Sequence, residues 1–334
     1  MSRQMITHRS QEYKRLHEGV VEKLHRVLET DMHIILAACS STGFLESCVR
    51  CGVHHRMVGA SNGAFGERWQ KIGQANGKEV DRVEAPWGRP VRPEQIAGAV
   101  TPETEAVALV SNESSTGVFN PVRELVDAAR EEHDPLVFVD GVTSVGGMDL
   151  DIDSLDLDAL VFGSQKALAL PPGLAVICVS DRLLAKAEEV DARGYYFDLV
   201  ELKRYADRGF ALTTPPVSLL YGLDFQLDRM LEEGMPTRYD RHRRMAEMVR
   251  GWADPFPGLF AEAGCRSNTI TVVNDPEGDF ERIQEGLGRR GIEISPGYGK
   301  LKDSTFRIGH MGDLTVKDVG HLLDSLEEVM EASS

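Results

Sequence analysis

The sequence predicts an α/β protein, with a mostly parallel sheet covered by helices on both faces and a smaller α+β domain after it. Three observations carry this. Short apolar runs alternate with amphipathic helical stretches up to about Leu219. The runs are uninterrupted rather than alternating, as strands buried on both faces must be. No repeat or low-complexity tract breaks the rhythm.

The first element is a helix over Gln11 to Leu28, with Tyr13, Leu16, Val20, Leu24 and Val27 on one face. His33 to Cys39 reads as a buried strand, and a helix starts at Thr42. A strand near Arg56 to Ala60 precedes a helix over Phe65 to Asn76. Ala106 to Asn112 is a strand, Asn120 to Glu132 a helix and Pro135 to Asp140 a strand. The runs Ala159 to Gln165 and Leu174 to Ser180 complete the set. Beyond Leu219, two long helical patterns (Val217 to Glu233 and Arg238 to Trp252) lead to a strand at Thr269 to Val273 and a helix near Phe280 to Arg290. A strand at Thr305 to His310 and a helix from Val316 to Met330 follow. The expected division is an N-terminal segment 1–12, a large domain 13–225 and a small domain 226–334.

The length of 334 residues accommodates both units with a substantial core. A net charge of −16 with no basic patch argues against a nucleic-acid partner. The N-terminus MSRQMITHRS has no apolar signal region, and no apolar run is long enough to span a bilayer. Five cysteines without framework spacing point to the reducing cytoplasm. Cys48 and Cys51 form a CxxC followed by His54 and His55. No second pair follows and both cysteines fall within an expected helix, so buried structural thiols are the better reading and no metal is expected.

In open α/β sheets, ligands bind beyond the carboxyl ends of the strands, and three features stand there. Asp140 ends the run Leu136-Val137-Phe138-Val139, where a carboxylate is costly unless compensated; capping the next turn is the bland alternative. Lys166 follows Leu160-Val161-Phe162 and precedes Ala167-Leu168, surroundings that depress an amine's pKa and make it a usable nucleophile. A solvated loop lysine would be the usual reading, but the pairing with Asp140 outweighs it. An amine to condense with an aldehyde and a carboxylate to face a pyridinium are what a pyridoxal-phosphate (PLP) site requires. Third, Ser40-Ser41-Thr42-Gly43 joins a buried strand to a helix. Its hydroxyls and free amides suit a phosphate, although capping by Ser41 or Thr42 would explain them equally. The stretch Gly59 to Gly66 is not GxGxxG, so a dinucleotide fingerprint is absent.

With these residues assembled, the sequence resembles the class V aminotransferases of PLP fold type I, most closely the alanine–glyoxylate and serine–glyoxylate (serine–pyruvate) enzymes. The likeness runs from about Ile6 to the C-terminus. It rests on the order of Asn62-Gly63-Ala64-Phe65-Gly66-Glu67-Arg68, Glu113-Ser114-Ser115-Thr116-Gly117, Val139-Asp140-Gly141-Val142-Thr143-Ser144, Gly163-Ser164-Gln165-Lys166-Ala167-Leu168 and Phe306-Arg307-Ile308-Gly309. The resemblance implies a seven-stranded, mostly parallel sheet in the large domain. It implies that Lys166 forms the Schiff base and shuttles the substrate proton, and that Asp140 keeps the ring nitrogen protonated. Ser40, Ser41, Thr42 and Gln165 would line the phosphate and cofactor pocket, Phe65 would stack on the ring where many members have Trp or Tyr, and Ser114 and Val142 would flank it. Arg307 would grip the substrate α-carboxylate, for which a planar permanent cation is suited; a strand arginine in a surface ion pair is the alternative. Thr214 would reach the phosphate of the neighbouring subunit, implying a homodimer with shared active sites.

The sequence departs from the family twice. Where many members have Tyr three residues before the position of Thr214, Ala211 stands here beside Phe210. The chain also begins close to Thr7-His8-Arg9-Ser10, where members usually carry a preceding Pro-Gly-Pro-type segment, so a shortened start is expected. The implied reaction moves an amino group between a small amino acid (alanine or serine) and a small 2-oxo acid (glyoxylate or pyruvate). The alternative is phosphoserine aminotransferase, suggested by His8-Arg9 and Thr214-Pro215-Pro216. A cysteine desulfurase or other PLP lyase would need a reactive thiol, for which Cys265 is the one remote candidate, since Cys178 lies within a strand. A binding module that merely keeps the fold would not need Lys166.

Overall fold

The uninterrupted apolar runs form strands whose successive side chains enter two different cores. In the computed structural model, which describes residues 3–331, Leu136 and Phe138 of one strand face one apolar cluster while Val137 and Val139 face another. Ala159 and Val161 against Leu160 and Phe162 of the next strand repeat the pattern. A strand covered on both sides has no polar face to alternate with.

Helix α1 (Gln11–Leu28) leads to β1 (His33–Ala37), α2 (Ser41–Gly52), β2 (Arg56–Ser61), α3 (Ala64–Ala75) and β3 (Glu79–Glu84). Then come α4 (Pro93–Ala97), β4 (Ala106–Val110), the short pair β5 (Asn112–Glu113) and β6 (Val118–Phe119), and α5 (Val122–Ala129). They are followed by β7 (Leu136–Asp140), β8 (Ala159–Gly163), β9 (Ala175–Val179), α6 (Asp181–Glu189) and α7 (Leu199–Ala206). The chain continues through α8 (Val217–Glu233), α9 (Met235–Ala253), β10 (Ile270–Asn274), α10 (Phe280–Gly288), β11 (Ser295–Pro296), β12 (Thr305–Gly309) and α11 (Val316–Glu331).

The main sheet has seven strands in the order β1-β9-β8-β7-β4-β2-β3. All its neighbours pair in parallel except at β9, which runs antiparallel to both β1 and β8. Tyr13, Val20 and Leu24 of α1 and Leu220, Leu223 and Leu227 of α8 cover one face, and Phe44 and Leu45 of α2 and Trp69 of α3 the other. A second sheet, β10-β12-β11, packs with α9, α10 and α11 around Met245, Ile283, Phe306 and Leu326. The expected boundary at 225/226 falls inside α8, and the core under α1 continues past it to Met235.

Strand β3, helices α4, α6 and α7 and the two-residue strands β5, β6 and β11 escape the sequence reading. Strand β3, Glu-Val-Asp-Arg-Val-Glu, lies at the sheet edge and buries only Val83, so it presents no apolar run. Helices α6 and α7 are short, of 9 and 8 residues.

Candidate active site

Because β1, β2, β4, β7 and β8 all point the same way, their carboxyl ends share one edge of the sheet. The segments leaving that edge enclose a cavity of about 140 Å³. It is lined by Ser40, Ser41 and Thr42 after β1, Phe65 and Arg68 of α3, and Asn112 and Ser114 after β4. Asp140, Val142 and Thr143 at the end of β7 and Gln165 and Lys166 after β8 complete the wall.

Asp140 is buried, with its Oδ1 accepting the Val142 N–H at 2.9 Å. Burial raises its pKa to about 6; the Val142 N–H opposes the rise and the charge of Glu113 adds to it. The Lys166 carbonyl accepts the Ala169 N–H at 2.9 Å, whereas its amine makes no hydrogen bond or ion pair with any described residue. Burial lowers its pKa, the positive charge of Arg307 lowers it further, and Asp140 partly restores it. Burial thus pushes the acid towards its neutral form and the amine likewise, a pairing typical of groups held for chemistry.

The Ser40–Thr42 segment is not spent on capping. Ser40 occupies the N-cap of α2 without a side-chain cap bond. Ser41 Oγ is buried with no partner, and Thr42 Oγ1 accepts from Arg68 Nη1 at 3.2 Å. The expected alternative of capping by Ser41 or Thr42 therefore fails, because both hydroxyls line the cavity instead. An orphaned hydroxyl at the N-terminus of a twelve-residue helix is what a phosphate would complete.

Phe65 is placed by a carboxylate remote in sequence. Glu113 Oε2 accepts the N–H groups of Phe65 and Gly66, each at 3.0 Å, and Ser115 Oγ accepts the Ala64 N–H at 2.9 Å. Gly63 is required here, because a Cβ would strike the Glu113 side chain. Burial raises the pKa of Glu113, and the Ser115 hydroxyl and the Gly66, Ser115 and Phe65 amides draw it back. Glu113→Ala leaves these amides unpaired and is expected to cost about 3 kcal/mol, read by urea unfolding of the cofactor-free chain; an unchanged midpoint would remove Glu113 from this role.

Arg307, on β12, lies outside the cavity lining but close enough for its charge to act on Lys166. Its Nε donates to the Pro296 carbonyl at 3.0 Å, and its guanidinium lies 5.3 Å from the Tyr298 ring centroid. It forms no ion pair with a described carboxylate, so the surface-ion-pair alternative fails. Thr214 is not brought to Lys166 within the chain. It lines a separate cavity of about 600 Å³ with His8, Arg9, Tyr195, Phe210 and Ala211.

Sequence reasoning quoted Arg68 and Glu113 inside motifs without giving them a role, and passed over Asn112, whose buried Oδ1 has no partner. The signal for Arg68 was its spacing from Phe65, one helical turn apart on α3; its guanidinium stands 4.7 Å from that ring. Cys48 and Cys51 are buried in α2, and burial raises both thiols, Cys51 to about 11. No cluster among the described residues could hold a metal.

The family model of the class V aminotransferases (Aminotransferase class-V) matches residues 5–308. The chain belongs to the class V aminotransferases. It is 31% identical to a soluble hydrogenase 42 kDa subunit of Anabaena cylindrica, over 99% of this chain and 88% of that one. It is 35% identical to a serine–glyoxylate aminotransferase of Methylorubrum extorquens, over 92% of this chain and 81% of that one. Among solved structures, ureidoglycine–glyoxylate aminotransferase of Bacillus subtilis superposes with a TM-score of 0.93 at 27% identity, covering 99% of this chain and 88% of that one. These likenesses bear out the expected family and the fold-type I architecture of this class V aminotransferase.

Proposed function

We propose that this aminotransferase moves an amino group between a small amino acid, alanine or serine, and a small 2-oxo acid, glyoxylate or pyruvate, using PLP. The observation that carries the proposal is the cavity in which buried Asp140 and the unpaired Lys166 amine face one space beside an orphaned Ser41 hydroxyl. The donor set fits the cofactor. Ser40, Ser41 and Thr42 with the α2 N-terminus would hold its phosphate, Gln165, Ser114 and Val142 its edges, and Phe65 its ring face. When bound, PLP supplies an aldehyde for the Lys166 amine and a ring that withdraws electrons from the substrate Cα.

The chain's own groups do the rest. The carboxylate of Asp140 balances a positive charge on the ring nitrogen. Lys166, whose charged form burial and Arg307 disfavour, takes the proton from the substrate Cα and returns it on the acceptor side. Arg307 holds the α-carboxylate and so orients the Cα–H bond. Arg307→Ala is expected to raise the KM for amino donors about 100-fold, the loss of a bidentate charged contact, with a smaller change in kcat. An unchanged KM in steady-state assays would sink that assignment.

Thr214, set apart from its own chain's Lys166, supports the reading that it serves the neighbouring subunit of a homodimer. The free thiols of all five cysteines fit the cytoplasm, and no helix among the described residues is long and apolar enough to cross a membrane. The phosphoserine alternative has one observation in its favour, since His8 and Arg9 share a cavity with Thr214. A desulfurase is disfavoured, because burial raises the Cys265 thiol and its Sγ is engaged with the Glu262 carbonyl at 3.2 Å. Assays of the reconstituted enzyme with alanine or serine and glyoxylate, against phosphoserine and 2-oxoglutarate, decide. Faster turnover of the second pair overturns the proposal.

A further inference from the structure

The first turn of α9 carries a cation buried as deeply as the apolar core. Arg238 is 1% exposed, and its guanidinium reaches three segments that are far apart in sequence. Nη2 donates to the Ala167 carbonyl at 2.6 Å, directly after Lys166. Nε donates to the Gly146 carbonyl at 3.0 Å, on the segment that leaves Asp140. Both Nη atoms lie 3.4 Å from Asp313 Oδ1, on the turn that follows β12 and Arg307. Glu233 balances the charge through Nη1 at 2.8 Å.

The same helix holds that last turn twice more. Arg241 donates to the Gly312 and Leu314 carbonyls, and His242 Nε2 accepts the Gly312 N–H at 3.0 Å. The Lys166 turn rests directly on it, since a Cβ on Gly312 would come within 3.0 Å of Ala169 Cβ. Ala169 itself sits at a φ of 54°, a left-handed backbone that a non-glycine residue keeps only when its surroundings impose it.

We propose that Arg238 is a positioning residue that fixes the Lys166 amine relative to Arg307, so that one substrate meets both. A planar fork of five donors satisfies the three directions at once, which a lysine ammonium cannot. The inference rests on the roles proposed for Lys166 and Arg307.

Arg238→Lys keeps the charge that Glu233 and Asp313 need and loses the fork. The test on the cofactor-free chain is the pH profile of reductive methylation at Lys166, followed by peptide mass. Loosening of its turn is expected to move the midpoint upward, towards that of an ordinary lysine, a local change that a mere loss of thermal stability would not produce. In the reconstituted enzyme, the KM for the amino donor is expected to rise about tenfold. Asp313→Asn, which leaves the Ala167 and Gly146 contacts in place, is expected to raise KM with the Lys166 midpoint unmoved, and it decides alone if Arg238→Lys does not fold. Wild-type KM in either folded variant, or an unmoved midpoint in Arg238→Lys, overturns the proposal. Borohydride trapping of cofactor on a residue other than Lys166 in the wild type would instead overturn the functional reading beneath it.

Discussion

Lys166→Ala is expected to lower turnover on the order of 10⁴-fold or more, since it removes both the group that holds the cofactor and the proton carrier. Ala167 and Leu168, each 1% exposed, wall the amine's own turn, and the cavity lining holds no second lysine. Lys166→Arg is expected to be as inactive, because a guanidinium keeps its proton at any pH the protein survives. Borohydride reduction and peptide mapping check both variants: cofactor mass on the Lys166 peptide in the wild type and none in either variant. Turnover in Lys166→Ala within tenfold of wild type would end the interpretation.

Asp140→Asn is expected to have opposite effects on stability and on activity. The folded carboxyl has a pKa of about 6 against an ordinary 3.8, chiefly through burial. The folded chain therefore binds this proton more tightly than the unfolded chain. Stability falls as pH rises from about 4 to about 6, and the ionised form above that costs the cofactor-free protein about 3 kcal/mol. The amide carries no such cost. Cofactor-free Asp140→Asn should be more stable than wild type by about that amount near pH 8 and equal to it at pH ~3, below the ordinary carboxyl value, as read by urea unfolding. The reconstituted variant should turn over on the order of 10³-fold more slowly, because a neutral amide cannot balance a charged ring nitrogen. Equal stabilities at both pH values would show that the carboxyl is not strained by burial.

How far the site could be read in advance depended on how local its determinants were. Asp140 and Lys166 announce themselves because one ends a strongly apolar strand and the other follows one by three residues and precedes an apolar turn. Ser41 and Thr42 were ambiguous, since a helix start uses the same residues for capping, and only the burial of an unpartnered Ser41 Oγ separates the two uses. The restraint of Phe65 by Glu113 joins residues 48 positions apart and leaves no local pattern. The grip of Arg238 on Ala167 spans 71 positions, and a run such as Arg238-Tyr239-Asp240-Arg241 reads as an ordinary solvated helix face.

The sheet divides in the same way. Strands β1, β2, β4, β7, β8 and β9 were legible in the residue order, because burial on both faces demands an apolar side chain at nearly every position. Their order, the reversed direction of β9 and the edge strand β3 were not. Those depend on which backbone edges meet, and hydrogen bonds between main chains carry no side-chain signature. The chain's letters alone thus determined the family, the buried strands and the places of a carboxylate and an amine at the strand ends, all recorded within a few consecutive residues. Folding in three dimensions settled how Arg68, Glu113, Arg238 and Arg307 stand around those groups, because charge and contact act across space and not along the chain.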